Sequence, residues 1–229
     1  MSQKASLREM LDTLEHGQRD RSSRAMDVTS IYQDDAGVIG RRHQKCLDVL
    51  GSIAPGQTKH VVSMGDWSCD NMVAWALGIV GPSDLSFTTW SISRAPASRL
   101  ICMADDGHIL DLYGVFDLRT AVTSAEAIRM MRARFGKVRL YDSHAKVYVL
   151  TGGLFPLTII SSGNFTNNPR VEATVICADP EIAEFHREWI TTVWLAAEDP
   201  FAPTGPEPET PGPNPFDVLR GLPGWAEDE

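Results

Sequence analysis

The chain lacks a long apolar run, paired cysteines and any excess of positive charge. No apolar stretch reaches the roughly 18 residues that a membrane-crossing helix needs. Only four cysteines occur, Cys46, Cys69, Cys102 and Cys177, and none stands in a Cys-x-x-Cys pair. That spacing excludes a disulfide scaffold and a cysteine-rich zinc cluster. The first residues, MSQKASLREMLDTLEHG, are charged throughout and have no apolar centre. They do not form a secretory signal, so a cytoplasmic protein is expected. Lys and Arg number 21 against 30 Asp and Glu, a formal charge of −9. Taken alone, that balance argues against nucleic acid, because phosphate binding needs a basic surface. What is present is ordinary for a globular protein: 229 residues with 43% hydrophobic content. This length can bury one full core with arms at either end.

Composition divides the chain into three. Residues 1–45 are expected to be an N-terminal helical arm. Leu7, Met10, Leu11 and Leu14 recur at helical spacing, with Ser6 and Glu9 as a capping box and Gly17 as the stop. A second helix is expected around 40–50. Residues 46–198 are expected to form the folded domain. Residues 199–229 hold 8 of the 14 prolines, seven acids and one base, Arg220. Such a segment has little to bury and cannot hold a ladder, so a disordered acidic tail is expected. Phe216, Val218, Leu219, Leu222 and Trp225 within it are read first as solvated residues of the tail, with docking to a protein partner as the alternative. The tail carries −6, which leaves only −3 on residues 1–198. The acidic total therefore does not exclude a phosphodiester ligand.

Between 58 and 197 the pattern alternates strand and helix, which predicts an α/β sandwich. Strands are expected at 60–64, 85–92, 99–103, 109–113, 138–150, 157–162 and 171–178. Helices are expected at 71–80, 124–135 and 180–197, the last with Asp179 as N-cap and Pro180 in its first turn. Within the long strand, His144 and Lys146 share a face, because side chains alternate. On the return strand Ser162 and Asn164 share a face as well. If those strands are neighbours, one base or nucleophile, one cation and two neutral donors converge, a set suited to a phosphate oxyanion. Glu172 opens the next strand and could bond the imidazole N–H to fix its tautomer.

This order, His144-x-Lys146, then Ser162-Gly163-Asn164-Phe165-Thr166, then Glu172, resembles the phospholipase D superfamily, closest to nuclease-like members with one motif per chain. The resemblance implies a phospholipase D-like α-β-α sandwich with a mixed central sheet. It implies a homodimer with the active site on its two-fold axis, and DNA or RNA as substrate. It implies that His144 attacks phosphorus to form a phosphohistidine, and that a second His144 from the partner chain protonates the leaving oxygen. Lys146 and Asn164 would hold the non-bridging oxygens with help from Ser162, while Glu172 orients His144. The cations are side chains, so neither metal nor cofactor is expected, and stable membrane association is not expected either. One position departs from the family pattern: Thr151 stands where its usual Asp would be. A weakly active or inactive scaffold that binds nucleic acid or protein is therefore the alternative. A second His-x-Lys, His43 to Lys45, lacks the downstream residues and is read as chance.

Three further residues are expected to shape the cleft and bind substrate: Trp67 and Ser68 after the first strand, and Trp90 after the next. A nucleophilic Ser68 or Cys69 lacks the Gly-x-Ser-x-Gly frame. Arg41, Arg42, Lys45, Arg94 and Arg99 are candidates for a phosphate-backbone track or for a solvated face.

Overall fold

A computed structural model describes residues 24–27, 36–40, 46–65, 67–166 and 170–197. In chain order the elements are β1 (Arg24–Asp27), β2 (Ala36–Gly40), α1 (Cys46–Leu50), β3 (Thr58–Ser63), α2 (Cys69–Val80), β4 (Ser83–Thr89) and α3 (Arg94–Asp105). They continue with β5 (Ile109–Asp117), α4 (Thr120–Thr123), α5 (Ala125–Phe135), β6 (Val138–Tyr141), β7 (Val147–Thr151), β8 (Leu157–Ser161), β9 (Glu172–Cys177) and α6 (Pro180–Ala196). The strands form one mixed sheet in the order β1-β2-β3-β9-β8-β7-β4-β5-β6. Strands β3, β4, β5, β6 and β8 run one way, and β7 and β9 run the other.

The two faces bury different residues because the strand period is two. Phe87, Tyr148, Leu150 and Ile159 point into one core with Leu50, Met72, Trp75, Leu100, Ile128 and Met131, from α1, α2, α3 and α5. Val147, Val149 and Ile160 point the other way, against Ala183 and Ile190 of α6. The result is the expected α-β-α sandwich. Helix α6 starts where Asp179 accepts from the Glu181 and Ile182 amides, at 2.8 and 3.1 Å. It is pinned to the sheet by Tyr113 Oη to Thr191 Oγ1 (2.9 Å) and by Trp194 Nε1 donating to Lys137 O (2.9 Å).

The elements differ from expectation in three places. Residues 99–103 are not a strand but lie within α3. Ser93 is extended just before the helix, Pro96 sits in the first turn where no intrahelical N–H is needed, and Ala97, Leu100 and Ala104 turn to the core at helical spacing. The apolar run Ile101-Cys102-Met103 conceals that period. The long strand 138–150 is broken into β6 and β7, because β6 is parallel to β5 while β7 is antiparallel to β4 and the chain must reverse between them. Lastly, residues from the N-terminal arm add two strands to the sheet, β1 and β2. The helix expected at 7–17, His43 to Lys45 and the tail 199–229 lie outside the described residues.

Aromatic packing fixes the centre of the sheet. Phe87 meets Phe116 and Phe165 edge-on, each at 5.2 Å between centroids, and Tyr148 lies 4.6 Å from Phe165. Phe87 can lie flat across β5 only because its register partner is Gly114. A Cβ at Gly114 would come within 2.2 Å of the Phe87 ring. Gly114→Ala is therefore expected to destabilise the fold by about 1–3 kcal/mol through overpacking, read as a lower urea midpoint. Gly136→Ala at an exposed helix end serves as the comparison for simple strain.

Candidate active site at one edge of the sheet

The strand directions bring many chain ends to one edge. Strands β3, β4, β5 and β8 finish there, and β7 and β9 begin there. The segment between β6 and β7 must pass over the ends of β5 and β4 to reach its place. That crossing covers three inter-strand steps, roughly 14 Å. The short run 142–146 can extend no further than about 20 Å between its anchors. It therefore has only about 6 Å of slack, and three contacts hold it down. Ser143 Oγ lies 3.0 Å from Thr88 Oγ1, the Ser143 amide bonds Asp117, and the His144 ring lies 5.5 Å from the Trp90 ring.

His144 thus sits in a loop, not on a strand, with its ring exposed. Lys146 is buried, at 7% exposure. Its Nζ donates to His144 O at 2.6 Å and lies 3.2 Å from His144 Nδ1. Burial lowers the Lys146 pKa, opposed by the charge of Glu172. An open groove of about 360 Å³ is lined by His144, Ala145, Lys146, Val147, Ile160, Ser161 and Ser162. Strand β8 ends at Ser161, so Ser162, Gly163 and Asn164 form a loop. Ser162 Oγ donates to Glu172 and accepts from the Ala173 amide at 3.0 Å. The carboxylate of Glu172 is therefore seated on Ser162 beside the groove, where its charge bears on Lys146.

Asn164 is held by a buried polar chain. Thr89 Oγ1 donates to Asn164 Oδ1 at 3.4 Å, and Tyr148 Oη lies 3.1 Å from Thr89 Oγ1. Tyr148 Oη also reaches Gly163 O at 3.2 Å, as does the Cys69 thiol. The Cys69 amide donates to Asn164 O at 3.1 Å. With its oxygen engaged by Thr89, the Asn164 side chain keeps its NH₂ donors for a ligand. The sequence pattern does not reveal this linkage through Thr89 and Tyr148. It missed Asp117 and Arg119 altogether. The available signal was a carboxylate closing the apolar run of β5, two residues before an arginine.

Other expected residues fall elsewhere. Trp67 is buried in the core, and Ser68 precedes α2, where its amide donates to Asn71 Oδ1 at 3.2 Å and its hydroxyl donates to Asp70. Of the three expected substrate-binding residues, only Trp90 stands against His144. Arg99 pairs with buried Asp70, and Arg94 pairs with Glu126 at 3.4 Å, so both contribute to α2–α3–α5 contacts. Arg41, Arg42 and Lys45 lie outside the described residues. Thr151 stands at the far end of β7, paired with Asp84. That is about 16 Å along the strand from Lys146. The turn there is held by backbone: Leu154 N–H donates to Val80 O at 2.7 Å, and Gly153 packs against the same carbonyl.

The sheet and the groove together define a phospholipase D-like fold. It is similar to the crystal structure of Nuc, a phospholipase D family member from Salmonella typhimurium, with a TM-score of 0.50 and 19% identity over 62% of this chain and 97% of that one. Weaker likenesses are to polyphosphate kinase from Porphyromonas gingivalis (TM-score 0.36, 13% identity, 48% of this chain and 17% of that one) and to TrmBL2, an archaeal chromatin protein (TM-score 0.40, 13% identity, 61% of this chain and 53% of that one). No family model and no curated protein sequence matches the chain.

The buried groups behind the groove set an alkaline limit. Burial pushes the Cys69 thiol up to about 12, with Asp70 and Glu172 adding to it, and burial raises Cys46 and Tyr148 as well. These groups stay protonated in the folded chain, whereas unfolded thiols ionise near 9.0. Their contribution is complete below that pH and is lost as pH rises from 9.0 toward about 12. Urea midpoints taken across this window should fall with pH. Cys69→Ser, which keeps a donor to Gly163 O, should make the fall shallower.

Proposed function

We propose that this chain is a metal-independent phosphodiesterase, a nuclease, that works through a phosphohistidine on His144 in a homodimer. The observation that carries this reading is the contact between exposed His144 and desolvated Lys146 in an open groove, with Asn164 and Glu172 fixed at the same sheet edge. An ammonium in a site of low dielectric is well placed to stabilise charge on phosphoryl oxygens. The free NH₂ of Asn164 adds a neutral donor.

In the first step the His144 imidazole nitrogen attacks phosphorus, forming a P–N bond as the bond to the leaving oxygen breaks. The partner's His144 gives that oxygen its proton. In the second step the partner's His144 takes a proton from water, the hydroxide attacks phosphorus, and the P–N bond breaks. Each chain carries one such histidine, so the cycle needs two copies facing each other. Glu172 is bonded to Ser162 and not to His144 in this structure, so in this reading it orients His144 only after its side chain turns toward the imidazole. The location of Thr151 favours activity over the scaffold alternative, since that position is remote from the groove and its turn has other support.

Wild-type protein should cleave single-stranded DNA or RNA in the presence of EDTA. His144→Ala should lose at least about 10³-fold in kcat. Acid-labile, alkali-stable label from substrate carrying ³²P at its internal phosphodiesters should be retained on wild type only. Cleavage by His144→Ala at the wild-type rate, or complete loss of wild-type activity in EDTA, would overturn the proposal. Sedimentation should give a dimer.

A further inference from the structure

We propose that Arg119 and Trp90 form a second anion subsite beside the reacting position, and that it takes the neighbouring phosphate of a polynucleotide strand. The inference rests on the reading above that the His144 groove takes a phosphodiester.

The starting observation is an unusual use of a buried carboxylate. The Asp117 side chain is 1% exposed, yet its partner, the Arg119 side chain, is 62% exposed. Arg119 Nε donates to Asp117 Oδ1 at 2.6 Å and Nη2 donates to Oδ2 at 3.0 Å, while the Arg119 amide donates to Oδ1 at 3.0 Å. A surface arginine normally samples many rotamers. This one is held in one geometry from beneath. The fork uses two of the five guanidinium N–H donors and leaves the others for a ligand.

The second observation is where the fork is held. The guanidinium carbon lies 5.4 Å from the centroid of the Trp90 ring. The same ring lies 5.5 Å from the His144 ring and 6.0 Å from Lys146 Nζ. Trp90 therefore links the proposed catalytic pair to Arg119. Its backbone is fixed by Thr120 Oγ1, which donates to Trp90 O at 2.9 Å. Its indole Nε1 is buried and has no acceptor among the described residues. With the ring as it stands that N–H is closed to solvent; a small outward turn would open it, and an incoming acceptor would then recover the free energy of the unpaired donor. The acids whose charge reaches the guanidinium are Asp117, committed to the fork, and Asp142, exposed on the His144 loop.

A preorganised arginine fork beside an unpartnered N–H donor suits a phosphate oxyanion. A lipid diester brings a single phosphate to the groove. A polynucleotide brings another at each step of the strand, so this subsite would select for it.

The test measures binding apart from cleavage. Full-length His144→Ala is titrated into a labelled single-stranded DNA oligonucleotide, and into a dinucleotide with one phosphate, over a range of salt. Adding Arg119→Ala should weaken oligonucleotide binding at least tenfold. It should lower the slope of log K against log salt by about 0.7. The dinucleotide should lose several-fold less. Arg119→Lys should restore only part of the affinity, since it keeps the charge and loses the fork. Equal affinities and slopes with and without Arg119, or equal losses for both ligands, would overturn the subsite. If Arg119→Ala lowers the melting temperature, Trp90→Phe supplies the second variant, with the same oligonucleotide-selective loss expected. Should wild type bind in this Arg119-dependent way yet cleave nothing, the nuclease reading fails and the subsite stands.

Discussion

The reversal of chain direction between β6 and β7 is the constraint on which the site depends. Three strands lie parallel at one side of the sheet, and the next strand runs against them. The link between them is short and must cross the ends of two strands. A longer link would fold back as an independent loop. This one is short enough to stay over the strand ends, and direct contacts hold it against Thr88, Asp117 and Trp90. Topology thus brings His144 over the strand ends, and these contacts set its position. Lys146 follows at the point where the chain enters the sheet, which explains how an ammonium comes to be buried.

That burial sets function against stability. Desolvation lowers the Lys146 pKa, so holding it charged costs stability. The cost is accepted locally and offset by the core beneath, where Phe87, Tyr148 and Phe165 pack as a cluster. Tyr148 belongs to both systems. Its ring fills the core and its hydroxyl supports Thr89 and the Gly163 carbonyl. The loop bearing Asn164 is therefore tied to the packed aromatic centre of the sheet. Its position is fixed further by the Ser93 amide, which donates to Phe165 O at 2.9 Å. Preorganisation of this kind means that little rearrangement is needed when charge develops on a ligand.

Much of this could be read from the sequence, for reasons tied to particular residues. His144-x-Lys146, Ser162-Gly163-Asn164 and Glu172 stand out because polar groups interrupt otherwise apolar strands. The caps of α5 and α6 could be read from Ser124, Gly136, Asp179 and Pro180. The break at 142–146 was hidden because apolar residues flank it on both sides, and periodicity does not report strand direction. Helix α3 was hidden for a related reason: a short apolar run carries no period of its own. Thr89 gains its meaning only when β4 lies beside β7, and Asp117 and Arg119 only when β5 lies beside β4, which no local pattern states. Trp67 and Ser68 had the right location, after a strand and before a helix, but core packing and capping claimed them.

The negative total charge bears on binding less than it first suggests. Most of the excess acid lies in residues 199–229, and only −3 remains on residues 1–198. At physiological salt, exposed charges further apart than about 8 Å are largely screened from one another. Distant acids therefore contribute little to the potential inside the groove. Lys146 is different, because it is desolvated and faces the groove directly. Arg119 is exposed, so its own field is weak; its value lies in geometry that Asp117 imposes. One cation acts through low dielectric and the other through orientation, and Trp90 touches both. Under the proposed function, affinity for a phosphodiester rests on these two residues more than on the net charge of the chain.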